Sequence, residues 1–299
     1  MIGQLNVSSP WMLRVLVIVA GLSAPTALHA GNEQSPAGRA SLPVEQPTLR
    51  DAQSHFYNAR YEAAAALTLA LRASQTQDLP NDELRTSALL FQVKGLLEAP
   101  ADKHTTRKDA DKKEALRTCV PCPALIAAFL TDIKHGQTLA RARLKADPAD
   151  DEALFFLGKL DLNYVWLQLG PLGRKTGWDE YWEARKSLDV VIKRHPQHVR
   201  ALVARAWIDY IVDTRMPWGT RWVLGGGDRK RALATVRTAV DIPSDFFTHA
   251  EAEFALWDMQ VRERDLTQAT EVARRLAHDF PDNREVATFL DTREARARR

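Results

Sequence analysis

A register of 48 residues, seen in two successive stretches of the chain, limits the fold more than any other feature. Residues 151–198 and 199–246 place similar side chains at matching positions, and Ala184 in the first stretch corresponds to Ala232 in the second. A small residue at a fixed position lets two helices approach closely, because the ridges of one helix enter the grooves of the other. One such pair is too small to bury its apolar face, so neighbouring pairs must stack. The register therefore predicts an array of stacked helix pairs.

Apolar residues are spaced at helical intervals from Leu49 onward, and no stretch of useful length alternates between apolar and polar residues. Glycine and proline lie between the periodic segments and not within them. The chain is therefore predicted to be all-α. The predicted helices are 48–59, 61–76, 81–98, 107–117, 123–146, 150–168, 179–194, 198–214, 228–241, 245–262, 265–279 and 283–297.

The 48-residue units carry the small and large apolar residues of a tetratricopeptide repeat. Residues 151–158 (DEALFFLG) have Ala, a large apolar residue, Leu and Gly at the spacing of the first, or A, helix. The slots of the second, or B, helix and of its terminal proline hold Tyr181, Ala184, Leu188, Ile192 and Pro196. A further unit, residues 250–283, fits the standard length of about 34 residues. The chain therefore resembles the tetratricopeptide repeat family, well over residues 123–283 and loosely over 48–98.

The resemblance implies a right-handed α-solenoid of about five helix pairs. Each 48-residue unit exceeds the standard by about 14 residues, so each is expected to carry an insertion between its A and B helices. The insertions, 170–178 and 217–227, should lie side by side, because stacking places successive A–B turns along one edge. The segment 217–233 (PWGTRWVLGGGDRKRAL) also resembles a group of longer-unit repeat proteins with Gly-Asp before the B helix. That group is predicted to be secreted and has no assigned chemistry.

The first 30 residues have the features of a secretory signal. An apolar stretch of ten residues, Val15–Ala24, follows Arg14, and Ala30 offers a small residue before a cleavage point. Ten apolar residues are too few to span a bilayer, which needs about 20. We therefore predict an exported protein, periplasmic or secreted, that is not integral to a membrane after cleavage. The predicted organisation is a signal peptide at 1–30, a disordered linker at 31–47, an N-terminal helical region with a charged linker at 48–122, and a tetratricopeptide-like repeat domain with a C-terminal capping helix at 123–299.

Cys119 and Cys122 form the sharpest local motif, and three interpretations of it remain open. Because thiols tend to pair in the oxidising compartment of an exported protein, a short structural disulfide is favoured. Two free thiols are the second interpretation. The third is catalytic thiol exchange, since Cys122 would cap a helix that begins at Pro123, and the helix dipole lowers the pKa of a thiol there. A thioredoxin-type site would also need a βαβ context, which the sequence lacks.

Two further features suggest chemistry but have simpler explanations. The run Gly225 to Asp228 precedes a B helix whose first amides are able to hold an anion, yet the strand and the spacing of a phosphate loop are missing. Asp161 and Asp209 occupy matching positions of successive A helices. We expect them to be solvated or salt-bridged and not to form a catalytic carboxylate pair.

Tryptophan is concentrated at the insertions. Four of the eight tryptophans, Trp178, Trp182, Trp218 and Trp222, lie in or beside them. Tryptophan and arginine are the residues favoured in binding hot spots, although large aromatic rings also commonly plug loops onto a core. The candidate binding residues are Trp178, Trp218, Trp222, Arg174 and Arg221.

The sequence therefore predicts a binding or scaffold protein of the cell envelope and not an enzyme. Its expected partner is a protein or peptide, held by the concave face of the solenoid and the inserted loops. The alternative is a binder of a small ligand or envelope component through the Trp/Arg loops, and a less favoured one is a thiol oxidoreductase. No catalytic residue, metal site or cofactor is predicted. The net charge of +3 is small and spread out, so nucleic acid is not an expected partner.

Overall fold

The computed structural model describes residues 47–74, 78–97, 109–174 and 176–297, and within these ranges the chain is helical with no strand. The helices, in chain order, are α1 Leu49–Tyr57, α2 Tyr61–Ser74, α3 Leu79–Leu97, α4 Asp109–Thr118, α5 Cys122–Ala146, α6 Asp151–Leu169, α7 Trp178–Arg194, α8 Val199–Arg215, α9 Trp218–Arg221, α10 Arg229–Asp241, α11 Phe246–Arg262, α12 Leu266–Asp279 and α13 Arg284–Ala297.

The predicted all-α class is confirmed for these residues, and most helices begin and end within two residues of the predicted bounds. The exception is α9, a single turn inside the second insertion that was expected to be loop. The predicted signal peptide at 1–30 lies outside the described residues, as does the predicted linker up to residue 46.

Aspartate side chains fix where several helices begin. Asp150, Asp228, Asp245 and Asp265 each precede a helix and accept a hydrogen bond from a backbone N–H of its first turn. This bond satisfies a donor that the helix itself leaves without a partner. These residues therefore set the lengths of the connections between successive helices.

The helices pack in successive pairs. The pairs are α1 with α2, α3 with α5, α6 with α7, α8 with α10, and α11 with α12, and α13 packs on the last. Small residues permit the close approach within a pair, since a side chain at Gly158 on α6 would meet Leu188 of α7 at 3.1 Å. Ala184 on α7 and Ala232 on α10 are both buried, as the 48-residue register requires of matching positions.

Two apolar clusters form the core, and α8 contributes to both. The first extends from Ala64 to Leu224 and so crosses the predicted boundary between 48–122 and 123–299. The second extends from Val199 to Val286. Ile208 of α8 belongs to the first cluster and Tyr210 to the second, so opposite faces of this helix join the two.

Helix α1 contacts the C-terminal third of the chain. The ring of Tyr57 stacks on Phe247 and Phe254 of α11, with ring centroids 5.7 and 5.5 Å apart. At the turn after α12, the side-chain amide of Asn283 donates to the backbone carbonyl of Tyr57 (2.7 Å), and the backbone N–H of Asp282 donates to Asn58 (3.2 Å). The first and last helix pairs are therefore in direct contact.

Four charged side chains meet where α3, α6, α8 and α11 come together. Arg200 pairs with Glu83 (2.7 Å) and Glu251 (2.6 Å), and Lys159 pairs with the same two carboxylates at 3.6 and 2.6 Å. This ionic tetrad (Glu83, Lys159, Arg200 and Glu251) has no net charge, and each charge faces two of opposite sign. The side chains of the ionic tetrad therefore occupy the space where the A helices α3, α6, α8 and α11 meet.

Candidate binding surface at the two insertions

The first insertion joins α6 to α7 and is held from below. Leu172 is buried in the first core cluster, and its backbone N–H donates to Leu167 (3.1 Å). Gly177 has a φ of +91° and lies against the ring of Tyr164, where a side chain would meet that ring at 3.3 Å. A positive φ is open to glycine at little cost, so Gly177 lets the chain turn directly into α7. The side chain of Arg174, a predicted binding residue, is exposed.

The second insertion joins α8 to α10 and is packed along α8. Leu224 is buried, and Gly227 approaches the α8 backbone so closely that an added Cβ would lie 2.6 Å from the carbonyl oxygen of Asp209. The guanidinium of Arg221 pairs with Asp213 (2.7 Å) and donates to the carbonyl of Met216 (3.1 Å). Arg221, which was predicted to bind a partner, therefore also fastens its own loop.

The two insertions lie side by side, as expected from the shared register. The hydroxyl of Tyr181, one turn into α7, donates to the carbonyl of Leu224 in the second insertion (2.8 Å). Arg185 donates to the same carbonyl (3.2 Å) and to that of Gly225 (2.9 Å). Sequence reasoning assigned Tyr181 to a B-helix slot and missed this clamp, because a bond to a backbone carbonyl leaves no signal in the sequence.

The four tryptophans of this region differ sharply in exposure. Trp178 and Trp182 are each 43% exposed and contact the ring of Tyr181 between them, with centroids 6.5 and 5.2 Å away. Trp218 and Trp222 are 86% and 78% exposed. The first two rings partly plug the insertion onto the core, whereas the second two project from it. We refer to these four side chains together as the aromatic surface.

A closed apolar cleft lies beneath this surface. Its lining includes Trp178 from the first insertion and Leu224 from the second, with Val165 and Ile208 from the A helices. Its free volume is about 10 Å³, on the order of the space needed by one water. In this conformation the cleft is filled by protein and holds no small molecule of ordinary size.

Cys119 and Cys122 are joined by a disulfide, with their Cα atoms 5.4 Å apart. Cys122 is buried in the first core cluster, and Cys119 is half-buried at the end of α4. A helix C-terminus disfavours a negative charge, so the position of Cys119 does not promote the thiolate that thiol exchange needs. The bond links α4 to α5.

The amides at the start of α10 already have acidic partners. The N–H of Arg231 donates to Asp228 (2.9 Å), and the N–H of Arg229 donates to Asp213 (3.1 Å). The interpretation of Gly225 to Asp228 as an anion site is therefore wrong for this conformation, because two carboxylates of the chain occupy the place of the anion.

Asp161 and Asp209, which were expected to be solvated or salt-bridged, are both buried and are therefore not solvated. Asp161 accepts a hydrogen bond from Gln137 (2.6 Å), and burial and then the nearby Glu183 carboxylate raise its pKa to about 8. Asp209 instead forms salt bridges, which were the other expectation. Its partners are Arg205 (2.6 Å), Arg231 (3.3 Å) and Arg185 (3.7 Å).

No family model matches the sequence, and no curated protein is similar enough to it to count as a relative. The tetratricopeptide assignment consequently stays a prediction based on the residue pattern. Among the described helices, none is both long and apolar enough to cross a bilayer. The class that the structure defines is an all-α protein of paired helices with an aromatic surface at two adjoining insertions.

Proposed function

We propose that this is a binding protein of the cell envelope and not an enzyme, and that the aromatic surface is where it binds. The scaffold proposed is a right-handed solenoid of tetratricopeptide-like helix pairs. One observation carries the proposal: Trp218 and Trp222 remain almost fully exposed although their loop is fastened on both sides, by Arg221 and by Leu224.

A fixed, exposed indole pair is costly unless it has a partner. Exposing a large apolar group to water raises the free energy by about 25 cal/mol per Å² of exposed area. Clustered apolar exposure on a protein surface therefore commonly marks an interaction site. Because the loop is already ordered, binding there loses little conformational entropy. These points support recognition by the insertions.

The ionic tetrad argues against the expectation that a partner lies along the concave face of the solenoid. A peptide along the concave face would have to displace Arg200 and Lys159 from their carboxylates, which would leave buried charges without partners. The insertions have no such obstacle. We therefore propose that the partner, which the sequence predicts to be a protein or peptide, docks on the aromatic surface and not along the A helices.

The alternative, a small ligand or envelope component bound by the Trp/Arg loops, is favoured by the presence of Trp178 in the cleft lining. A small ligand would have to open that cleft, whereas an extended component could lie on the rings from outside. A thiol oxidoreductase gains little support from a disulfide whose Cys122 is buried.

The test is site-specific photo-crosslinking in the exporting cell. A photoreactive phenylalanine analogue at position 222 should form adducts, whereas the same analogue at Leu69, which is half exposed on α2, should not. The absence of adducts at both positions, with the chain folded and exported, would overturn the proposal.

Export is checked by a separate measurement. The intact mass of the exported chain should show that the mature protein begins near Gly31.

A further inference from the structure

We propose that the partner of the aromatic surface is the headgroup region of an anionic lipid bilayer, entered by Trp218 and Trp222. This inference rests on the proposed function, because it names the occupant of the same surface. It selects the envelope-component alternative over a protein or peptide partner.

The shape of the second insertion is that of a small apolar wedge. Trp218 opens the single turn α9, and Trp222 follows its last residue. Residues four apart share one side of a helical turn, so both indoles project together, and Val223 beside them is 53% exposed. Each of these three side chains is more than half exposed within the described part of the chain.

An indole suits the boundary of a bilayer for a chemical reason. Its apolar body favours the acyl chains while its N–H keeps a hydrogen-bond partner among the headgroups, and tryptophan is accordingly enriched at membrane interfaces. Two indoles and a valine are enough to enter this boundary but far too few to span a bilayer, which needs about 20 apolar residues.

The charge around the wedge complements an anionic surface. Residues 170–182 and 213–231 together contain seven Arg and Lys and four Asp and Glu, so the two segments carry a net charge of +3. The insertions and the end of α8 contribute the cations Arg174, Lys175, Arg215 and Arg221, and residues 229–231 add three more. Three of these are paired within the chain, Arg221 with Asp213, Arg229 with Glu263 and Arg231 with Asp209. Arg174 and Lys230 have exposed side chains.

The shape of the surface around the exposed rings favours a bilayer over a protein partner. Protein hot spots commonly pair a projecting ring with a well-packed pocket on the other side, surrounded by contacts that exclude water. Here the free volume of the adjoining cleft is about 10 Å³, so this cleft has no room for a partner's side chain. A fluid bilayer needs no matching pocket, because its own lipids enclose the rings.

The experiment is flotation of the isolated exported chain with vesicles of phosphatidylglycerol and phosphatidylethanolamine, compared with phosphatidylcholine alone. The double variant Trp218→Ser/Trp222→Ser should lower partitioning into both kinds of vesicle by about tenfold or more. Arg174→Gln and Lys230→Gln should each lower partitioning on the order of fivefold into the anionic vesicles only. Because every variant has the same N-terminus, the differences between variants report on the insertions.

The matched control is Leu69→Ser, which removes a half-exposed apolar side chain far from the insertions in sequence and should float like the wild type. The exposed rings contribute little to stability, so unchanged melting temperatures will show that the tryptophan variants are folded. Equal flotation of the tryptophan double variant and the wild type would overturn the membrane inference. The membrane inference would also be overturned if the chain self-associates, Trp222→Ser abolishes that self-association, and vesicle binding does not depend on the tryptophans. A second copy of the chain would then be the partner of the surface.

The two proposals fail in different ways. A protein adduct at position 222 together with tryptophan-independent flotation overturns the lipid assignment and leaves the binding surface in place. No adduct of any kind at position 222, lipid included, overturns both. A lipid adduct at position 222 with tryptophan-dependent flotation supports both.

Discussion

At the scale of single residues, Asp161 and Asp209 show how equivalent positions of two repeat units acquire opposite chemistry. Asp161 faces the amide of Gln137 and the carboxylate of Glu183, and the nearest guanidinium nitrogen, on Arg141, is 3.9 Å away. Three guanidinium groups surround Asp209 instead. The neighbours differ at three pairs of equivalent positions. Where the second unit has Arg185, Arg205 and Arg231, residues 48 positions earlier are Gln137, Leu157 and Glu183.

The two carboxylates should therefore respond differently to amidation. The pKa of Asp161 is raised from 3.8 to about 8 in the folded state. Its contribution to stability is then complete below the lower value and is lost as pH rises toward the higher one. Asp161→Asn stays neutral, so denaturant titrations should show the variant gaining on the wild type with rising pH. The gain at alkaline pH should exceed about 1 kcal/mol.

Asp209→Asn is the matched control. It removes one of the two carboxylates that pair with the largely buried guanidinium of Arg205 and leaves Asp189 as the other, so it should destabilise the protein by about 2 kcal/mol at neutral pH. A parallel pH dependence of unfolding in the two variants would contradict the assignment of a raised pKa to Asp161.

At the scale of elements, the second insertion depends on the close contact of its last glycine with α8. An alanine Cβ at Gly227 would lie 2.6 Å from two backbone atoms, the carbonyl oxygen of Asp209 and the amide nitrogen of Asp213. Backbone atoms inside a helix cannot yield without breaking its hydrogen bonds. This contact explains Gly227, and positive φ angles of 77° and 73° explain Gly225 and Gly226, without any appeal to a phosphate.

Gly227→Ala should therefore lower the free energy of unfolding by about 1–3 kcal/mol, as overpacking does, and detach the loop from α8. Gly219→Ala is the control, because nothing lies within 4 Å of its added Cβ. Thermal denaturation of both variants checks the difference. Equal melting temperatures would mean that the insertion is not packed on α8 in solution.

The helices themselves could be predicted because their apolar spacing, glycines and prolines are local signals. The turn α9 could not be predicted, since a four-residue turn followed by a second tryptophan shows no helical periodicity.

How deeply a side chain is buried was also unpredictable in places. Trp207 on α8 is only half-buried against Tyr210, whereas Trp257 on α11 is fully packed. Burial depends on which elements arrive from elsewhere in the chain, and spacing within one helix does not reveal that.

The candidate site, too, could be predicted from the sequence only in part. The equal register of two units was enough to place the insertions next to each other. It did not predict which rings would project, because that depends on the clamp from Tyr181 to a carbonyl 43 residues away. Arg221 was expected to face a partner for its residue type alone, and its pairing with Asp213 became visible only with the fold.

At the scale of the whole molecule, the array departs from the nearest-neighbour rule of repeat proteins. In an open stack each unit contacts only its neighbours, yet here α1 reaches α11 and the turn after α12. The ionic tetrad adds a second long-range connection. Partial burial raises the pKa of Glu251, but Arg200 and then Lys159 outweigh it and hold the pKa at about 2. The stabilising effect of this carboxylate is therefore present above pH 4.5 and is lost as the pH falls toward 2.

This closure predicts that the two ends of the chain unfold together. Tyr57→Ala removes the ring that stacks on Phe247 and Phe254 and should cost about 2–3 kcal/mol, somewhat less than a fully buried aromatic. Hydrogen exchange should then accelerate in α11–α13 as well as in α1–α2. Tyr61→Ala is the control, because the two rings that contact Tyr61, Phe56 and Phe91, lie in α1 and α3, and its main effect should fall within α1–α3. If Tyr57→Ala likewise leaves exchange in α11–α13 unchanged, the contact between the ends carries no coupling energy, and the array behaves as an open stack.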